Sequence, residues 1–107
     1  MSFKVLPTPL FERELKQLSK RHASIKNDLS ATIASLIKKP NLGESLGNHC
    51  FKVRMAISSK NKGKSGGARI ITYLKIIEET IFLISIYDKS DTDTIKNDEI
   101  LSRIKDL

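Results

Sequence analysis

The sequence predicts an α+β fold: a short N-terminal strand and an antiparallel helix hairpin packed on a small, mainly antiparallel sheet, closed by a final helix. Two observations carry this. Apolar residues recur at helical spacing up to Pro40 and at strand spacing from Phe51 onward. The connections after Phe51 are too short for crossovers, so the strands there form a meander, and the helices must bury their stripes on one of its faces. At 107 residues the chain reads as one domain, residues 1–107, able to bury one modest core.

Each element has a local reason. Phe3 to Leu6 reads as the first strand. Thr8 supplies an N-cap hydroxyl and Pro9 suits the first helical position. Phe11, Leu15 and Leu18 make one helical face, and Lys20-Arg21-His22 places positive charge at its C-terminus. Ile25, Leu29, Ile33, Leu36 and Ile37 form the stripe of a second helix, which Pro40 stops. Asn41 to Asn48 reads as a Gly-containing connection. Phe51, Val53, Met55 and Ile57 then alternate with Lys52, Arg54 and Ala56, giving a strand with one apolar and one basic face. Ala68 to Ile76 is β-branched and aromatic, and Glu78-Glu79 marks a turn. Thr80 to Tyr87 is almost wholly apolar, as expected of a central strand. Asn97 to Leu107 forms the last helix, with Ile100, Leu101 and Ile104 inward. The order is β-α-α-β-β-β-α.

Composition narrows the class. Hydrophobic content of 39% and charged content of 29% suit a globular domain and argue against disorder. The longest apolar runs are too short to span a bilayer, so no membrane role is expected. The N-terminus lacks a charged-then-apolar signal pattern. Cys50 is the single cysteine, which leaves no internal disulfide. These features fit the cytosol. The net charge of +7 is concentrated in the middle: residues 45–77 hold seven basic side chains and no acid. That is an electrostatic footprint for a polyanion.

The densest part is Ser59 to Arg69, SKNKGKSGGAR. It contains Gly-Lys-Ser, the tail of a P-loop. A P-loop needs a glycine where Ser58 stands and a helix after the motif, whereas a strand follows here. The stretch instead joins two strands, with Lys60, Lys62 and Lys64 on a glycine-rich tip. Lys52 and Arg54 share one face of the preceding strand; Arg69, Ile71 and Tyr73 share one face of the next. A register that sets Arg69 beside Arg54 makes a concave basic patch, which Tyr87 and Lys89 could complete. Arg69 is the most valuable member, because a planar guanidinium can hold a phosphate through two parallel hydrogen bonds.

Such a patch suits RNA cleavage by the substrate's own 2′-hydroxyl. That hydroxyl must lose a proton, the phosphate must shed charge and the leaving oxygen must gain a proton. No cofactor is called for, and no His/Cys/Asp/Glu cluster stands at metal-ligand spacing. Lys52, Lys62, Lys64 and Lys89 are open candidates for the acid or base. Tyr73 or Tyr87 could stack on a base or donate a hydroxyl. His49 is an outside candidate; for His22 a structural or exposed position is expected. Cys50 reads as a small buried side chain, and Asp88 as a surface acid.

Residues 62–73, KGKSGGARIITY, followed by Ile86-Tyr87-Asp88-Lys89, resemble the RelE/ParE toxin superfamily, in particular its HigB-like branch. The resemblance implies a RelE-like sheet-and-helix domain that is the toxin of a type II toxin–antitoxin module. It implies an endoribonuclease that cuts mRNA on the ribosome without a metal, and a cognate antitoxin, in this branch often a small helix-turn-helix protein. Arg69 matches the family's catalytic or phosphate-binding arginine. Lys52 and Arg54 match basic positions on the preceding strand, and Lys89 lies where RelE-type nucleases have another basic residue. Tyr87 joins these as a catalytic candidate; Lys60, Lys62, Lys64 and Tyr73 are expected to grip RNA or ribosome. RelE has a tyrosine a few residues beyond Lys89; here Ser90 to Ile95 has none. A ParE-like gyrase inhibitor and a non-catalytic nucleic-acid-binding module are the alternatives.

Overall fold

In the computed structural model, which describes residues 2–60, 63, 64, 66–91 and 95–107, eight elements alternate with short turns. They are β1 (Lys4–Pro7), α1 (Pro9–Ser19), α2 (Ile25–Lys38), β2 (Glu44–Gly47), β3 (Cys50–Met55), β4 (Ala68–Lys75), β5 (Thr80–Asp88) and α3 (Asn97–Ile104). The five strands form one sheet in the order β1-β5-β4-β3-β2. β1 runs parallel to β5, and the remaining pairs are antiparallel. No helix among the described residues is long and apolar enough to cross a membrane.

Thr8 starts α1 as expected and also fastens it. Its Oγ1 accepts from the Phe11 amide at 3.4 Å and donates to the Leu83 carbonyl at 2.9 Å. Thus β1 hands over to α1 at a fixed point on β5. Phe11 and Leu18 from α1, with Ile25, Leu29 and Leu36 from α2, pack on Val53, Met55, Ile70, Leu83 and Ile86. α3 covers the other face through Ile100, against Cys50, Ile71 and Ile84. Ile37 and Leu101, both expected inward, are instead 47% and 44% exposed. Each helix turns a stripe narrower than its apolar sequence toward the sheet.

Two departures shape the sheet. Residues 44–47 form an edge strand where a connection was expected. Asn48 and His49 both take positive φ, 55° and 62°, and close the tight turn that pairs it with β3. The segment lacks an apolar alternation, so only its pairing reveals it. The second departure is a bulge. Ile71 pairs with Ser85 but Thr72 pairs with Leu83, leaving Ile84 as the extra residue in β5. Before it, Ile81 and Leu83 face the helix hairpin; after it, Ile86 does. Tyr87 is thereby shifted onto the α3 side.

Candidate nucleic-acid interface

The register sets three site residues in one row. Arg54 pairs with Arg69 across β3 and β4, and Arg69 pairs with Tyr87 across β4 and β5. Directly paired residues point to the same side of a sheet, so the row lies on the α3 side. In the next row Lys52 stands opposite Ile71, and Lys52 Nζ is 3.8 Å from Glu44 Oε1. This is the arrangement that the alternation of Lys52 with Arg54 and of Arg69 with Ile71 foreshadowed.

The members differ in exposure. Arg54 is exposed, whereas Arg69 is only 3% exposed. Arg69 Nη1 donates to the carbonyls of Lys64 and Ala68 at 2.9 and 3.1 Å. Its guanidinium therefore braces the β3–β4 connection as well as standing in the row. The Tyr87 hydroxyl is buried and has no hydrogen-bond partner among the described residues, a costly state that a ligand oxygen could relieve. Lys64 and Lys89 are exposed nearby in the chain; Lys62 lies outside the described residues.

The connection is seated tightly where it re-enters the sheet. The Lys89 amide donates to the Gly67 carbonyl at 3.0 Å. A Cβ on Gly67 would lie 2.2 Å from the Met55 carbonyl oxygen, so the backbone itself demands glycine there. At the other end, Ser58 to Lys60 form a 3-10 turn held by two acids. Asp28 Oδ2 accepts from the Ser58 amide at 2.9 Å and from the Ser24 hydroxyl at 2.8 Å. Asp88 holds Lys60.

Lys60 thus corrects an expectation. It was placed on a solvent-facing tip, but its side chain is 14% exposed, with Nζ 2.9 Å from Asp88 Oδ1 and 3.0 Å from the Ser90 hydroxyl. Asp88 is not a surface acid either. It is 3% exposed and also takes His22 Nε2 at 2.9 Å and the Ser90 amide at 2.9 Å. Burial pushes its carboxyl upward. Hydrogen bonds from the Ser90 hydroxyl, Lys60, the Ser90 amide and His22 outweigh that and hold it well below the usual carboxylate range. The sequence hint was its position two residues after Ile86, on the same buried face.

His49 and Tyr73 sit elsewhere. His49 is exposed in the β2–β3 turn, at the opposite end of β3 from Arg54. Tyr73 lies at that same end and stacks on Phe82, with ring centroids 6.2 Å apart. It packs on the sheet and is not beside the arginines. Cys50 is buried, and burial pushes its thiol upward, away from reactivity. Among the described residues, no group of three or more His, Cys, Asp or Glu side chains is placed to hold a metal ion.

Sequence reasoning also missed the pair that fastens α3. Arg103 donates from Nη1 and Nη2 to the two carboxylate oxygens of Glu14, each at 3.0 Å, and from Nη1 to the Ile84 carbonyl at 2.9 Å. Glu14 Oε1 in turn accepts from the Ile86 amide at 3.3 Å. β1 pairs only as far as Leu83, so these side chains satisfy the edge of β5 beyond it. The two residues are far apart in the chain, and no local pattern pairs them.

The same architecture occurs in solved toxins. A double arginine-to-alanine mutant of the E. coli toxin RelE in the free state is similar with a TM-score of 0.64 at 16% identity, covering 99% of this chain and 97% of that one. A chain of the intact E. coli RelBE toxin–antitoxin complex gives 0.63 at 15% identity, over 82% and 96% of the two chains. The toxin–antitoxin complex RelBE2 from Mycobacterium tuberculosis gives 0.61 at 16%, over 82% and 99%. These likenesses concern the fold. Over residues 4–106 the sequence itself matches the family described as the RelE toxin of the RelE/RelB toxin–antitoxin system. The chain belongs to the RelE toxin family.

Proposed function

We propose that this protein is a ribosome-dependent endoribonuclease, the mRNA-cleaving toxin of a type II toxin–antitoxin module. The observation that carries the reading is the row Arg54–Arg69–Tyr87, two guanidiniums and a buried unpartnered phenol aligned across three strands. Arg54 binds the scissile phosphate, and Arg69 stabilises the charge that develops on it. The 2′-oxygen attacks phosphorus and loses its proton to a base. The bond to the 5′-oxygen breaks, and that oxygen takes a proton from an acid. The products are a 2′,3′-cyclic phosphate and a 5′-hydroxyl. Tyr87, Lys52 and Lys89 are the residues available for these proton transfers, and Lys64 strengthens the grip on RNA.

The ribosome supplies what so spare a site lacks, a message held in a reactive geometry. The relatives crystallised with RelB suggest a cognate antitoxin here too. The Lys62–Tyr73 segment favours the HigB-like branch, in which the antitoxin is often a small helix-turn-helix protein. The place of action is then the cytoplasm. Expressing the chain alone should arrest growth, and co-expressing the adjacent small gene should restore it. Purified protein should cleave messages on translating ribosomes and leave naked RNA nearly intact. Equal cleavage with and without ribosomes would refute the ribosome requirement. Arrested replication with intact messages would move the protein to the gyrase inhibitors.

A further inference from the structure

We infer that a groove along the open edge of β3, beneath α2, is a nucleobase subsite for the nucleotide that flanks the phosphate held by the arginine row. This rests on the RNA-cleaving reading for the phosphate, while the groove stands on its own geometry. β2 ends with Glu44 opposite Lys52, but β3 continues to Met55. Past Lys52 that edge has no strand beside it among the described residues. The His49 carbonyl accepts from the Leu74 amide of β4. Antiparallel alternation then turns the amide and carbonyl of Arg54 away from β4, toward the open edge.

Two adjoining hollows of about 250 and 300 Å³ lie along this edge and share Leu42, Val53, Arg54 and Lys64. Leu42 and Val53 give apolar walls. Thr32 and Ser35 bring hydroxyls from α2. Both hydroxyls donate within their own helix, to the Asp28 and Ala31 carbonyls at 3.1 and 3.3 Å, which leaves their oxygens as acceptors. Arg54 and Lys64 make the rim basic. The acids present are already engaged: Asp28 by Ser24 and Ser58, and Glu44 by Lys52.

The chemistry selects the occupant. Apolar walls, polar edges and an adjacent guanidinium are what an unstacked base requires. The volume lies at the lower end of ligand clefts, about 300–1,000 Å³, and suits one base. An added peptide strand would need a longer free edge than Val53–Met55. Arg54 borders both: its side chain stands in the row on the α3 side, and its amide and carbonyl face the edge that the groove follows, so a strand of RNA passing over that edge meets the row and the groove in turn.

The test is amide NMR of the whole chain titrated with inorganic phosphate, with the four ribonucleoside 5′-monophosphates and with a synthetic acidic peptide. Nucleotides should move the resonances of Ala31, Ser35 and Leu42, and phosphate only those around Arg54 and Arg69. Ala31→Leu, which narrows the groove from α2 and offers no ring for a base to stack on, should weaken nucleotide binding roughly tenfold and leave phosphate binding and the thermal melt unchanged. Ser35→Leu repeats the test should Ala31→Leu fail to fold. Identical maps for phosphate and nucleotides, full nucleotide affinity in both variants, or groove shifts with the peptide alone would each overturn the inference. Cleavage assays separate the two readings: groove binding with messages left intact on ribosomes defeats the nuclease and spares the groove.

Discussion

Arg54 and Arg69 stand directly opposite each other on β3 and β4, two cations on one side of the sheet, one exposed and the other almost wholly buried. Like charges at directly paired positions oppose folding. On the proposed reading, a phosphate bound between them would turn that repulsion into shared attraction.

Arg54→Gln should therefore leave the thermal midpoint unchanged or raise it, since a cross-strand repulsion of about 0.2–1 kcal/mol is relieved. Its single-turnover cleavage on saturating ribosomes should fall roughly 10- to 100-fold, the loss of one charge-assisted hydrogen bond. A destabilised variant that cleaves normally would make Arg54 a structural residue.

Arg69→Ala should affect both stability and rate. It removes the donor to the Lys64 and Ala68 carbonyls, at a cost of about 1–3 kcal/mol. On the proposed reading it also removes a preorganised donor to the transition state, which should cost roughly 10²–10³ in rate. Arg69→Lys keeps the charge without the planar fork and should restore only part of the rate. Thermal melts beside single-turnover kinetics separate the effects; a folded Arg69→Ala protein cutting at the native rate would remove Arg69 from the chemistry.

Asp88 sets the acid limb of stability. Its folded carboxyl titrates well below the unfolded one, so its contribution is complete above the unfolded value. It is lost as pH falls from about 4 toward the lower folded value. Asp88→Asn should flatten that part of the stability profile. At neutral pH it should cost about 3–5 kcal/mol, because Lys60 is left without its carboxylate. Adding Lys60→Met should recover part of the loss. An unchanged urea midpoint for Asp88→Asn would show that the cage contributes nothing.

Gly67→Ala and Gly63→Ala form a matched pair. Gly67 lies so close to Met55 and Ala56 that an added Cβ forces backbone movement, costing about 1–3 kcal/mol or more and displacing Arg69. Gly63 has φ of +67° but open space around it, so alanine there should cost only about 1 kcal/mol. Urea unfolding of the two variants checks the order; equal losses would mean that the seat against β3 yields easily.

Local periodicity made most of the fold legible. Thr8-Pro9, Pro40 and the change of period at Phe51 marked real boundaries, because capping, ring geometry and side-chain alternation act within a few residues. The pairing of Arg54 with Arg69 followed from alternation on two strands joined by one connection. β2 stayed hidden because it is short, polar and defined by its partner. Lys60 and Asp88 were misplaced because their burial depends on each other and on His22, from three separate parts of the chain.

By itself, then, the sequence determined the helix hairpin, the strands that carry Lys52, Arg54 and Arg69, and the excess of positive charge between them, all properties of local pattern and composition. The tertiary structure alone decided which face Tyr87 joins. Counted by strict alternation from Phe82, Tyr87 would lie on the helix side, away from Arg69. The bulge at Ile84 adds one residue and brings it back to the face that Phe82 shares. A strand has a side-chain period of two, so one inserted residue exchanges the faces of all that follow. Only pairing with β4 reveals the insertion.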